Sequence, residues 1–425
     1  MSKKKDIVVT GIGLLSPHGQ GIPSFLNALQ NGKSFFAHSK SFPELDYPVI
    51  TSEIIDFGFD EIMNKCIHIS EKQKDKICKL GRRSPKVIQA SLIAALEAWN
   101  HAGLSKRRID PTRIGLVVAG QNTTQRYLYE MHGKDLNYLP PSYAMHFMDT
   151  DQIGSLSEAF EIQGESFTVG GASASGNVAI IQANRLIQQN IIDVCLVVGV
   201  LADLSPLELQ AFYNIGAFGG KKFAHEPSKA CRPFDENREG FILGQASACL
   251  ILESRISATK AQVPLLGTLV GTALCLDANR LPDPRVEGEI RAMNHAIADA
   301  GIEKKAIQYI NTHGTSSVLG DIVEISAIKS VFGSGVKNIV LNSTKSITGH
   351  CLWSAGVVEA IATLLQMQHK FVHVNLNLEN AIDQDCIFSN CSDAPFDIKY
   401  ALSNSFGFGG INTSVIFKKV NEFDE

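Results

Sequence analysis

Three short segments of this sequence hold side chains whose types and spacing suit chemistry at a carbonyl group. VGGASASGN (169–177) runs into the helical pattern VAIIQANRLIQQ, which sets Ser173 at or near a helix N-terminus. Free backbone N–H groups and the positive end of the helix dipole favour an anion there. Taken by itself, the segment also reads as an ordinary N-cap serine. NTHGTSSVLGD (311–321) ends a strand at His313 and continues into a helix bearing Glu324. STKSITGH (343–350) leaves another strand and carries Lys345 and His350. A solitary loop histidine is more often structural than catalytic. Two of them in similar Gly and Thr surroundings, with a Lys and a Glu close by in sequence, point further. Each neutral imidazole donates one N–H, and two such donors can converge on one oxygen. That arrangement stabilises an enolate or a tetrahedral oxyanion. Read structurally, Lys345 and Glu324 form a buried ion pair that orders the site. A fourth segment, NSFGFGGIN (404–412), sets two Phe among Gly. Its backbone can approach a ligand closely and complete an oxyanion hole, or simply turn between two terminal strands.

Positioning these segments requires strands that end where the loops begin. DIVVTGIGLLSP (6–17) reads as a buried strand entering a Gly-rich turn. Its GxG lacks a third Gly and a following βαβ unit with a ribose-binding acid, so a dinucleotide site is not supported. Residues 20–80 read as irregular. Residues 84–103 show helical periodicity, with Ser84 as N-cap, Pro85 at N1 and Gly103 as terminator. Apolar strands follow at 113–120, 194–200 and 248–253. Strand and helix signals then restart. Strands are expected at 265–274, 309–314 and 338–344, helices at 289–302 and 354–370, and a hairpin at 404–417. Alternating strands and helices predict a layered α/β fold with buried sheets. The restart near residue 256 divides the chain into similar halves, 1–255 and 256–425.

With 425 residues and 44% hydrophobic content, the chain can bury one large two-lobed core or two domains. A formal net charge of -4 argues against nucleic-acid binding and against a polybasic membrane surface. Nine cysteines occur with no CxxC pair, several inside apolar runs, so neither a disulfide framework nor a zinc site is expected. That usage fits a reducing, cytoplasmic setting. MSKKKDIVVTG lacks an apolar run of signal-peptide length, and ACLILES is too short to span a bilayer.

Taken in order, these segments resemble the β-ketoacyl-ACP synthase family and the ketosynthase domains of polyketide synthases. VVTGIGLLSP resembles the family's opening strand, and CRPFDENREGF (231–241) its RPFD…GF segment. NTHGTSSVLGD, STKSITGH and NSFGFGG resemble its two histidine motifs and its C-terminal Gly/Phe signature. The resemblance covers nearly the whole chain. It implies an α/β thiolase fold, with duplicated αβαβα halves in a five-layered arrangement, and a homodimer. It further implies that His313 and His350 hold a malonyl thioester while carbon dioxide leaves, supported by Lys345 and Glu324. Phe408 matches the residue whose N–H joins the oxyanion hole. Thr315 and Ser317 match hydroxyl positions that contact the phosphopantetheine arm of an acyl carrier protein. No metal or separate cofactor is implied.

The nucleophile departs from the pattern. Where the family reads A-C-x-S-G, this chain reads Ala172-Ser173-Ala174-Ser175-Gly176. A thiol with pKa ~8.5 is drawn toward thiolate at a helix N-terminus, whereas a serine hydroxyl needs a dedicated base. Acyl transfer should be crippled. Decarboxylation needs no nucleophile, and the two imidazoles can still stabilise the enolate. The sequence therefore looks like the serine-bearing, freestanding ketosynthase-like decarboxylases of polyketide β-branching cassettes, which turn malonyl-ACP into acetyl-ACP. Ser173 would then hydrogen-bond the thioester or carboxylate. Trp353 stands where the family usually has Gly or Ala. It is expected either to narrow the acyl pocket or to pack in the core. The competing readings are an acyltransferase or synthase acylated at Ser173, a non-catalytic chain-length-factor-like partner, and a condensing enzyme with an engineered Cys-to-Ser change. Retention of both His and Lys345 argues against the second. Gly171, in place of the family's Thr, and Trp353 argue against the third.

Overall fold

The computed structural model describes residues 4–55, 57–65, 69–390 and 395–420. The first three residues of the basic N-terminal segment, Cys66 and Cys391 lie outside these. The strands that carry the architecture are β1 (Ile7–Ser16), β2 (Ile114–Ala119), β3 (Ser166–Val169), β4 (Val194–Gly199), β5 (Ser247–Ser254) and β6 (Gly267–Leu276). They continue as β7 (Tyr309–Asn311), β8 (Val340–Asn342), β9 (Ile387–Phe388), β10 (Tyr400–Gly407) and β11 (Ile411–Lys418). With Gly19–Gln20 paired off β1, they form one 12-stranded sheet in the order β9-β8-β7-β10-β11-β6-β1-β5-β4-β2-β3. Antiparallel pairing of β1 with β6 is the seam. Outward from it, both sides run antiparallel, antiparallel, parallel, parallel, and the second side adds one more parallel pair, β8 with β9.

The helices sort by the period-2 alternation of the strands. On the first side, Leu116, Val118, Leu196 and Val198 face α1 (Lys86–His101) and α2 (Thr150–Phe160). Val117, Cys195 and Val197 face α3 (Ser175–Gln188). On the second side, Ile310, Leu402 and Ile416 face α4 (Val286–Ala300) and α5 (Val318–Phe332), whereas Ala401, Val415 and Phe417 face α6 (Ala355–His369). Helices α3 and α6 touch each other between the two half-sheets. The layers are therefore helix, sheet, helix, sheet, helix. This is the expected α/β thiolase fold.

The two sides match in detail. A bulge lies at Val9/Gly11 between β1 and β5, and another at Leu269/Gly271 between β6 and β11. A Cβ on Gly11 would meet the Ala98 carbonyl oxygen at 2.3 Å, and one on Gly271 the Ala296 oxygen at 2.3 Å. Only glycine lets α1 and α4 lie so close to their strands. This explains a local misreading: the GIG of residues 11–13 is no turn, because β1 continues through it to Ser16.

Other expectations shift. Residues 20–80 are not irregular; they contain the helices Ile22–Gln30, Phe59–Lys65 and Glu71–Gly81. Pro85, not Ser84, is the N-cap of α1, and the Ser84 hydroxyl donates back to the Leu80 carbonyl at 2.9 Å. The strands bearing the two histidine motifs are three residues long and end at Asn311 and Asn342, short of His313 and Lys345. Among the described residues, all seven cysteines are free, and no helix is long and apolar enough to cross a membrane.

Candidate active site

Two equivalent turns, one from each half, place the central residues. Ala172–Ala174 forms a 3-10 turn leading into α3, and Leu352–Ser354 forms one leading into α6. Each contains a non-glycine residue in the left-handed region, Ala172 at φ 47° and Leu352 at φ 50°. Such backbone persists only where its surroundings hold it. Here it aims Ser173 from one turn at His350, just before the other. Ser173 Oγ lies 2.8 Å from His350 Nε2.

The hydrogen-bond network assigns the tautomers of both imidazoles. His350 Nδ1 accepts the backbone N–H of Leu352 at 3.2 Å. Its proton is therefore on Nε2, which donates to Ser173. His313 Nδ1 lies 3.3 Å from the Lys345 ammonium, which can only donate, so His313 also carries its proton on Nε2. The rings stand 5.6 Å apart, nearly perpendicular. Burial, then the charge of Lys345, holds both well below the usual histidine pKa, and His350 adds to the effect on His313. Both are neutral donors.

Lys345 is buried, and its three ammonium donors are all engaged: by Glu359, by the His313 carbonyl oxygen at 2.6 Å and by His313 Nδ1. The expected Lys345–Glu324 ion pair is thus replaced by Lys345–Glu359. Glu359 projects from α6 and also accepts the Ser405 hydroxyl at 3.3 Å. Nothing in its local sequence sets it apart from a core-facing helix position, and only the packing of α6 reveals it. Glu324 has a different task. Its carboxylate accepts the backbone N–H groups of His313 and Gly314, each at 2.8 Å, and the Asn404 amide at 3.1 Å. It fixes the histidine loop. Asp321 does the same one turn earlier on α5, accepting Thr315 N–H at 3.0 Å and Phe234 N–H at 2.8 Å. Phe234 belongs to the RPFD segment, whose Arg232 and Asp235 pair in the core at 2.9 Å.

A cavity of about 260 Å³ reaches His313. His313, Thr315, Ser317, Phe406 and Phe408 line it. Thr315 donates to the Ser317 hydroxyl at 2.9 Å, and Ser317 caps α5 by accepting Gly320 N–H at 3.2 Å. Phe408 is 40% exposed at the hairpin turn, and the adjoining Gly407 packs against the Gly171 carbonyl. Phe406, missed in the sequence, lies edge-on to His313 at 5.6 Å. Trp353 is buried beside Leu352 and Val200 and flanks Gly120. A cleft of about 640 Å³ between Leu15 and Lys65 contains none of the predicted site residues.

A hydroxyl just ahead of a helix, bonded to one of two neighbouring neutral imidazoles on a thiolase fold, is the arrangement of a ketosynthase-type enzyme. The chain belongs to the beta-ketoacyl synthase family: residues 4–258 match its N-terminal domain and residues 266–379 its C-terminal domain. It is 37% identical over 421 residues to the polyketide biosynthesis malonyl-ACP decarboxylase PksF of Bacillus subtilis (strain 168), covering 98% of this chain and 97% of that one. It is 31% identical over 432 residues to 3-oxoacyl-(acyl-carrier-protein) synthase 2 of Staphylococcus aureus (strain COL), covering 99% of each. Among solved structures, it resembles a type II PKS ketosynthase bound to the hexaketide in complex with its acyl-carrier protein (AntDE:AntF). The TM-score is 0.84 at 26% identity, over 98% of this chain and 100% of that one.

Proposed function

We propose that the protein decarboxylates malonyl-ACP to acetyl-ACP, as in polyketide β-branching, without forming a carbon–carbon bond. The observation that carries this reading is the direction of the Ser173–His350 hydrogen bond. A serine nucleophile needs a ring nitrogen that accepts its proton. His350 presents Nε2–H to Ser173, because Nδ1 is already committed to Leu352. The same donor, with His313 Nε2–H, suits the oxygen of a thioester enolate. The acyl-Ser173 reading requires the opposite tautomer.

In this proposal the thioester oxygen sits between the two Nε2–H groups while the C–C bond to the carboxylate breaks. Lys345 holds the His313 tautomer and Glu324 holds its backbone. The Phe408 N–H and Ser173 complete the oxyanion hole, and Thr315 and Ser317 contact the phosphopantetheine arm delivered by an acyl carrier protein. The 37% identity to a malonyl-ACP decarboxylase supports the chemistry. The half-buried edge strand β3, unpaired on its outer side, supports a homodimer. Free cysteines support a cytoplasmic setting. The mirrored strand order supports the division into halves 1–255 and 256–425.

The test is to incubate purified protein with malonyl-ACP and follow the intact mass of carrier and enzyme. Conversion of malonyl to acetyl on the carrier, with Ser173 unmodified, is the expected result. A stable or turning-over acyl-Ser173 overturns it.

A further inference from the structure

Loss of carbon dioxide leaves an enolate, and a decarboxylase must then place a proton on its α-carbon. The two imidazoles cannot supply it without becoming imidazolates, since each holds a single proton, on Nε2, and has Nδ1 committed to a fixed donor. The ammonium of Lys345 has all three donors engaged away from the pocket. Ser173 is different. Its oxygen accepts the His350 Nε2–H at 2.8 Å, so its own O–H is directed elsewhere, and no described residue takes that proton.

We propose that Ser173 is the proton donor that converts the enolate to the acetyl thioester, an inference that rests on the decarboxylase reading. The step balances simply. The electron pair of the broken C–C bond forms the enolate as carbon dioxide departs. The α-carbon then takes the Ser173 hydroxyl proton, forming a C–H bond, and the O–H electron pair remains on Oγ. The α-carbanion of a thioester is a stronger base than an alkoxide, so a hydroxyl is acid enough. Protonation turns the enolate oxygen back into a thioester carbonyl and frees the His350 Nε2–H, which then holds the alkoxide together with the N-terminus of α3, a helix of 14 residues. Water returns the proton, and the hydroxide released combines with carbon dioxide as bicarbonate.

This assigns the serine a positive role. A thiol at this helix terminus is drawn toward thiolate, which is a nucleophile and carries no proton. A serine keeps its proton throughout the physiological range. The substitution thus removes the acyl acceptor and installs the acid.

The experiment follows malonyl-ACP turnover with wild type, Ser173→Ala and Ser173→Thr in ¹³C-bicarbonate, reading carrier mass. Wild type should form acetyl-ACP without label entering residual malonyl-ACP. Ser173→Ala should form acetyl-ACP ~10²-fold more slowly, and its residual malonyl-ACP should gain ¹³C as the unprotonated enolate recaptures carbon dioxide. Ser173→Thr, which retains a hydroxyl, should recover a large part of the rate lost in Ser173→Ala and suppress the exchange. A Ser173→Ala variant that turns over at the wild-type rate without exchange shows that water is the donor. One that, still folded by circular dichroism, neither releases carbon dioxide nor exchanges label shows that Ser173 acts before C–C cleavage. Either result overturns the assignment. Failure of wild type itself to make acetyl-ACP rejects the decarboxylase reading instead.

Discussion

Gly176 and Gly356 touch where α3 crosses α6: a Cβ on Gly176 would meet the Val357 nitrogen at 2.7 Å, and one on Gly356 the Asn177 nitrogen at 2.6 Å. The contact locks together the two helices whose first turns present Ser173 and follow His350. Gly176→Ala should therefore destabilise the fold by about 1–3 kcal/mol through overpacking and depress activity by separating the two turns. Urea unfolding and the malonyl-ACP assay check both. Unchanged values in each would show that the helices separate freely.

His313 and His350 are donors to one oxygen in the proposed reaction. Replacing either by Ala should lower acetyl-ACP formation by about 10²–10³-fold or more. The loss should exceed that of Ser173→Ala, which leaves both imidazoles in place. Full activity after losing either histidine refutes the donor arrangement.

Lys345 and Glu359 are buried partners. Lys345→Met strands the Glu359 carboxylate and should cost about 3–5 kcal/mol in urea unfolding. Adding Glu359→Gln should restore much of that stability, because no charge is then left unpaired. The double variant should stay inactive, since His313 loses the donor that fixes its tautomer. Equal instability of single and double variants would show that the pair contributes through shape alone.

Glu289 on α4 is buried, and its Oε2 has no hydrogen-bond partner among the described residues. Burial, then Glu324, Asp277 and Asp321, pushes its carboxyl well above the usual carboxylate range. The folded protein keeps this proton at pH values where the unfolded chain has released it. In that window unfolding releases a proton, so the contribution of Glu289 to stability falls as pH rises, by up to ~1.4 kcal/mol per pH unit. Glu289→Gln should gain on wild type as pH rises above the ordinary carboxylate range. A stability difference independent of pH contradicts this account.

Trp353 fills the space between Leu352, Val200 and Gly120. Trp353→Ala should cost about 3–5 kcal/mol. If the ring narrows an acyl pocket, a structure of the variant with a longer acyl thioester should show the chain in the vacated volume. No added room there limits Trp353 to core packing.

Local sequence determined much of this protein. Unbroken apolar runs such as VCLVVGV had to be buried strands, and the helices expected at 84–103, 289–302 and 354–370 stand at 86–101, 286–300 and 355–369. The types and order of Ser173, His313, Lys345 and His350 were enough to nominate candidate site residues and the chemistry they suit. What needed tertiary structure was every relation set by packing between distant elements. The GIG of β1 looked like a turn because the reason for glycine, the backbone of α1 against the strand, lies some 85 residues away at Ala98 and Ala94. Lys345 was matched to Glu324 by nearness in sequence, whereas the orientation of α6 brought Glu359 instead. The tautomer of His350, and hence what Ser173 can and cannot do, hangs on one backbone N–H, that of Leu352, which the turn brings onto Nδ1. A residue's identity lists the protons it can give or take, but only the folded chain decides where each of them points.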